Sequence, residues 1–432
     1  MRNSLRLSAA TLALSLAFAG SAMAAGADHK ADVQRILNSA QFKAAAANID
    51  KEYDRYVAEG IKLTEIPAPP FKEEVRAKAY EAMLKEAGLT NVHIDSEGNA
   101  IGLRKGTKSD GKFIVVAAHL DTVFPAETDV KVKRQGTRLN SPGIGDDTFS
   151  LAALLTFVRS MNLAGIKHRD DILFIGNVGE EGPGDLRGVR YLFTKSEYKD
   201  KIKTFFSVEA GGVNGITTGG VGSRRYRVTF SGPGGHSYGA FGLVNPMYAL
   251  GQAASEMGHM EVPDNPKTTF GIGVIGGGTS VNSIPLDVWM EVDMRSESPA
   301  ELNKVEEKFM NIVKESVKSE NFARSTKEGE IKVDIKKIGD RPAGTIAETS
   351  ALVQMATAAV EAGGYKPSYG YGSTDSNIPF SMGIPAITIG KGPPNSGGRS
   401  HSLDEWIDVA KEPMVKSMTT SLSILMTVAG ME

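Results

Sequence analysis

The chain has 432 residues, 49 of them basic and 51 acidic, for a net charge of −2 with His neutral. This near-balance gives no electrostatic case for nucleic acid or an anionic membrane as the main partner. The count of 0 cysteines excludes disulfides, thiolate metal ligands and cysteine nucleophiles, so any metal must rest on Asp, Glu and the 7 His.

Arg2 and Arg6 precede an apolar run over 12–20, and Ala22-Met23-Ala24 fits the small-x-small cleavage pattern of an export leader. Residues 1–24 are therefore expected to be removed, leaving a periplasmic or secreted protein. The run is too short for a permanent membrane anchor, and no later stretch is long and apolar enough. Roughly 400 remaining residues suggest two domains.

Residues 30–62 read as helical, and Thr64-Glu65-Ile66-Pro67-Ala68-Pro69-Pro70 interrupts them. A helix is expected over 72–87, with Gly88 at its C-cap. Strand signals follow at 92–94 and 100–104. The continuously apolar runs 113–118, 171–176 and 204–208 read as buried strands, with a helix over 151–161 between the first two. Strands alternating with helices imply an α/β sheet flanked by helices.

The texture changes near Gly222. Segments 225–230 and 331–335 alternate as half-buried strands do, 270–275 and 288–294 are further strands, and 245–257 and 299–319 are helices. The order strand-helix-strand-strand-helix-strand is a self-contained α+β unit over 222–338. After it come a helix over 349–362, a short buried strand at 386–390 and a closing helix over 409–428. The economical division is one catalytic domain, 25–221 with 339–432, carrying an inserted second domain.

Polar clusters sit at the ends of the apolar runs, where α/β sheets place their sites. His119-Leu120-Asp121 follows one strand, and Gly179-Glu180-Glu181-Gly182 follows another. Adjacent carboxylates repel unless cations or protons compensate. Neighbours along extended backbone point in opposite directions, so one can face a metal and the other a substrate. Asp146-Asp147 precedes a helix, where an acid also serves as a cap. Glu209 and His401 stand at loop starts. Together His119, Asp146, Glu180-Glu181, Glu209 and His401 are ligand types expected for zinc, with cobalt or manganese as substitutes. His29, His93, His168 and His259 carry no such company.

In order and context these residues resemble the M20 family of metallopeptidases and amidohydrolases, most closely its tripeptide aminopeptidase branch. The resemblance runs from about Glu65 to Trp406. It implies a zinc-peptidase-like catalytic domain with a ferredoxin-like lid or dimerisation domain. His119 and Glu209 would hold one zinc, Glu181 and His401 the other, and Asp146 would bridge them. Asp121 would orient His119, and Glu180 would act as general base toward a hydroxide held between the ions. In the second domain, His236 of Gly234-Gly235-His236-Ser237 would polarise the scissile carbonyl, reaching a partner's site in dimeric relatives. Asn282, Arg295 and Ser373 would contact substrate; a guanidinium grips a carboxylate through two parallel hydrogen bonds.

The expected activity is exopeptidase hydrolysis of small peptides. An N-acyl amino acid deacylase is the nearest alternative, favoured by Glu at 209. A non-catalytic, metal-dependent peptide-binding protein is the alternative of a different class. A homodimer through the second domain is a further expectation.

Overall fold

The continuously apolar runs become the middle of a sheet. The computed structural model describes residues 29–432; the expected leader lies outside the described residues. Strands Asp171–Asn177, Phe113–His119, Ile202–Gly212 and Ala386–Gly392 lie side by side and parallel. Both faces of such strands are covered, and for that reason their residues do not alternate. Ala100–Arg104 and Thr90–Ile94 add antiparallel on one side, and Gly215–Gly220 adds antiparallel on the other, within a nine-stranded mixed sheet.

Helix Phe149–Leu163 is buried along most of its length, between the sheet and helices Ala40–Lys51 and Tyr53–Thr64. Helix Lys411–Ala429 packs on the strand Ala386–Gly392 and on helix Ala351–Ala362. The expected helical stretch over 30–62 is three helices, the first being His29–Asn38. The first break falls at Ser39, whose side chain accepts from the backbone N–H of Phe42 as an N-cap, and the second at Glu52.

Gly222–Ser231, Pro246–Gly258, Thr268–Gly277, Asp287–Ser296, Pro299–Ala323 and Lys332–Arg341 form the strand-helix-strand-strand-helix-strand unit. Its four antiparallel strands place Thr268–Gly277 at one edge and Lys332–Arg341 at the other. One sheet face packs Val228, Phe230, Met290 and Val292 against Leu302 and Phe309 from a helix. Alternation sends Arg225, Arg227, Glu291, Asp293 and Arg295 to the opposite face, where they are half-buried. The alternation at 331–335 captures only the first half of the last strand. After a bulge between Lys337 and Gly339, that strand runs on to pair Arg341 with Ser223, at the end nearest the catalytic sheet.

A further sheet, built from Gly397–Gly398, Trp406–Asp408, Arg138–Asn140 and Lys133–Gln135, has strands too short to show a period. It ties the segment before Asp146 to the segment after His401.

Candidate active site

The carboxyl ends of the parallel strands gather six of the expected groups. His119 ends its strand, Glu209 lies near the end of Ile202–Gly212, and Glu180-Glu181 follow Asp171–Asn177. Asp146 lies in the turn Ile144–Thr148 before the buried helix, and His401 in the loop between two of the short strands.

Asp146 spans the two imidazoles. Its Oδ1 is 2.9 Å from His119 Nε2 and its Oδ2 is 3.4 Å from His401 Nε2. Glu209 Oε2 is 3.5 Å from His119 Nε2, and Glu181 Oε1 is 2.8 Å from His401 Nε2. Ligand atoms sharing one tetrahedral zinc at about 2.0–2.2 Å lie about 3.3–3.6 Å apart. Two of the four separations, 3.4 and 3.5 Å, fall in that range; the 2.9 and 2.8 Å pairs stand at hydrogen-bond distance.

Asp147 also lies near His119 and Glu209, but it is already engaged. Its carboxylate accepts from the His119 backbone N–H at 3.2 Å and from Ser150 Oγ, with Lys391 Nζ 3.6 Å away. Asp146, by contrast, turns one oxygen toward each imidazole. The Asp146-Asp147 peptide bond is cis.

The electrostatics carry the same message. Burial opposes a charged His119, yet Glu209 and Asp146 outweigh it and raise the imidazole well above its ordinary value. Hydrogen bonds to Asp146 and Glu181 push His401 up to about 10. Negative charge in surplus holds protons on both rings, and divalent cations are the usual replacement for such protons. The residues present therefore fit a His- and carboxylate-bound metal centre.

Asp121 orients the site in a way its spacing did not reveal. His119 Nδ1 lies 2.9 Å from the backbone carbonyl of Asp121, while the carboxylate is 3.7 Å away. The carboxylate instead accepts from the backbone N–H groups of Glu180 at 3.0 Å and Glu181 at 2.8 Å. Gly179 enters this turn at φ +66, and a Cβ there would strike Arg187.

Glu180 turns away from the cluster and meets Arg341. The guanidinium Nη1 lies 2.9 Å from Glu180 Oε1 and 3.1 Å from Ser373 Oγ, and Nη2 donates to the Glu180 carbonyl. Burial raises the Glu180 carboxyl well above the usual range, with Arg341 opposing it.

A cleft of about 450 Å³ opens over these groups, within the size range of small-ligand sites. Arg225, Arg295, Arg341 and Ser373 also line it. Asp293 supports two of them, with Oδ1 3.0 Å from Arg225 Nε and Oδ2 2.6 Å from Arg295 Nε. His236 and Asn282 do not line it. They belong to the exposed element where Gly235–His236 pairs with Ser283–Ile284. His236 Nδ1 accepts from the backbone N–H groups of Tyr238 and Gly239, which leaves its proton on Nε2.

Sequence reasoning missed Arg225, Arg341 and Glu405. Glu405 accepts from the backbone N–H groups of Gly143, Gly145 and Asp146 at 3.0, 2.7 and 2.9 Å. Burial, then the charge of Asp146, pushes its carboxyl up to about 7. The only signal was position: Glu405 follows His401 closely, and Arg341 stands at the exit of the inserted unit.

The chain is similar to known proteins. Succinyl-diaminopimelate desuccinylase of Corynebacterium glutamicum is 24% identical over 353 residues, covering 80% of this chain and 89% of that protein. Aminopeptidase PepT from Bacillus cereus superposes with a TM-score of 0.69 at 23% identity, covering 87% of this chain and 99% of that one. A tripeptidase from Staphylococcus aureus gives the same TM-score at 21% identity, covering 87% and 97%. The two solved structures bear out the fold of a catalytic α/β domain with a lid domain. Residues 115–427 match the description of peptidase family M20/M25/M40, and the chain belongs to that family of metal-dependent hydrolases.

Proposed function

We propose that this is an exported, di-zinc exopeptidase that hydrolyses an amide bond in small peptides. The observation that carries the reading is that one cleft is lined by Glu180, by Asp146, Glu181, Glu209 and His401 of the His/carboxylate cluster, and by Arg225, Arg295 and Arg341. His119 and Glu209 would hold one ion, Glu181 and His401 the other, with Asp146 between them. When bound, such ions polarise the scissile carbonyl and make water acidic enough to attack near neutral pH.

The chain's own groups supply the rest. Arg295 and Arg225 present terminal guanidinium nitrogens to a substrate carboxylate, because Asp293 holds them by Nε. Glu180 accepts the proton of the attacking water as the oxygen–carbon bond forms. It then delivers that proton to the leaving nitrogen as the carbon–nitrogen bond breaks. Arg341 fixes the direction in which Glu180 reaches. His236, with its proton on Nε2, offers an oxyanion donor to the site of a second copy of the chain. Residues 1–24 would be removed on export; N-terminal sequencing of the secreted or periplasmic protein should begin at Ala25, and an intact Met1 there sinks that part of the reading.

A second reading, N-acyl amino acid deacylase, is favoured by Glu at 209 and by the desuccinylase likeness over 80% of the chain. A side-by-side assay of free di- and tripeptides against N-acyl amino acids, with zinc, cobalt and manganese, separates the two. Turnover of peptides bearing a free amine is expected. Turnover of blocked substrates alone would establish the deacylase, and zinc binding without any turnover would leave only a binding protein.

A further inference from the structure

Asp375 is a fully buried acid to which the hydrolytic reading gives no task. It follows Ser373 and Thr374, which line the cleft. Its Oδ2 accepts from Asn177 Nδ2 at 2.6 Å. The other oxygen of each side chain, Asp375 Oδ1 and Asn177 Oδ1, is buried and meets no donor among the described residues. An ionised Asp375 would therefore be a buried charge resting on one hydrogen bond, with no ion pair among the described residues. Glu209, Asp121 and Glu180 add like charge around it, and His119 and Arg341 oppose them from beyond ion-pair distance. Burial, then the charge of Glu209, pushes the Asp375 carboxyl up to about 7.

One proton on Oδ1 removes both deficits. It cancels the charge, and as an O–H donor it supplies the partner that Asn177 Oδ1 lacks. A carboxylic acid and a primary amide then join edge to edge through two hydrogen bonds, N–H to Oδ2 and O–H to Oδ1. The pair also closes a circuit around Glu180. Asn177 ends its strand just ahead of Glu180 in the chain. Glu180 Oε1 meets Arg341 Nη1 at 2.9 Å, and the same nitrogen is 3.1 Å from Ser373 Oγ. Ser373 leads through Thr374 to Asp375, whose bond to Asn177 joins the two ends.

We propose that Asp375 is kept as a neutral acid paired with the Asn177 amide, and that this pair is a positioning device for the Glu180 carboxylate. As an acid it adds no negative charge beneath a cluster already rich in carboxylates, and as a donor it ties the Ser373 loop to the strand that leads into Glu180. The pairing stands on its own geometry; its consequence for turnover rests on the hydrolytic reading above.

The test uses the zinc-loaded full chain at about pH 6, where an ordinary aspartate is ionised. The infrared difference between the unmodified protein and Asp375→Asn is expected to show the carbonyl band of a protonated carboxylic acid. Asp375→Ala is expected to lower kcat about 10²-fold with KM and zinc content held, and its crystal structure to show Glu180 displaced from Arg341 Nη1. Asp375→Asn is expected to rescue kcat to within about twofold, because two amides pair edge to edge through the same two bonds. A carboxylate band in place of the acid band, a loss in Asp375→Asn as large as in Asp375→Ala, or Glu180 unmoved in Asp375→Ala overturns the proposal. Should Asp375→Ala fail to fold, the infrared band and the Asp375→Asn rate decide. If the unmodified protein cleaves no amide, the acid band together with the displaced Glu180 upholds the proposal and defeats the hydrolytic reading alone.

Discussion

Arg341 Nη1 lies 2.9 Å from Glu180 Oε1, and Nη2 of the same guanidinium donates to the Glu180 backbone carbonyl. Arg341 ends the last strand of the inserted unit and Glu180 follows a central strand of the catalytic sheet. One buried pair thus joins the two domains at the proposed base. Both side chains are nearly inaccessible, at 5% and 7%.

Removing the guanidinium leaves a buried carboxylate without its partner, at a cost of about 3–5 kcal/mol in stability. It also frees the carboxylate to turn, and a displacement of about 1 Å costs on the order of 10²-fold in rate. Arg341→Ala is expected to lower kcat by that order while zinc content holds. Guanidinium ion added to the assay should restore part of the rate. An unchanged kcat in a folded, metal-loaded Arg341→Ala protein contradicts the positioning role.

Glu180 and Glu181 should fail in different ways. Glu180→Gln is expected to lose about 10²–10⁴-fold in kcat with zinc still bound. Glu181→Ala is expected to lose metal, since its carboxylate sits 2.8 Å from His401 Nε2 in the cluster. Elemental analysis beside kinetics reads both. Near-native turnover by Glu180→Gln would remove it from the role of base.

Glu405 touches no proposed ligand side chain, yet it fixes the turn that carries Asp146 by accepting three backbone N–H groups. Partners that orient ligands typically change metal affinity about 10–100-fold when lost. Glu405→Ala should weaken zinc binding by that factor in a chelator competition. Unchanged affinity would mean the turn holds its shape without it.

His168 gives the pH dependence of stability away from the metal site. Burial and the charge of Arg104 lower its pKa from the ordinary value of 6.5, and Nδ1 faces the Asp170 carbonyl at 2.7 Å. The unfolded chain takes up a proton below about pH 6.5 that the folded chain refuses, so this group's stabilisation is present above that pH and is lost as pH falls. Melting curves between about pH 7.5 and pH 5 should show a steeper loss for the unmodified protein than for His168→Gln. Parallel losses would show that His168 titrates alike in both states.

The centre of the fold was legible because burial on both faces forces apolar runs such as 113–118 and 171–176. The inserted unit was legible because one open face forces alternation, as at Arg225, Arg227 and Thr229. Strand Gly215–Gly220 escaped notice: its glycines and threonines carry no apolar period. His119, Glu180-Glu181 and Glu209 could be named in sequence because each follows an apolar run, whereas Asp146, ahead of a helix, and His401, in a Gly-rich loop, were named by their order with the others. Arg341 and Glu405 could not, since their partners lie 161 and 259–262 residues away and no local pattern marks them. Asp121 shows the limit of spacing: its place beside His119 was legible, but its carboxylate serves the Glu180-Glu181 backbone, which only the fold brings near.

The most direct measurement is a zinc titration of the metal-stripped full chain, following bound zinc by elemental analysis and hydrolysis of a di- and tripeptide panel in the same samples. Activity should be absent without metal and rise to a plateau as two ions bind per chain. Full hydrolysis by metal-free protein, or two ions bound with no amide in the panel cleaved, would contradict metal-dependent peptide hydrolysis at this site.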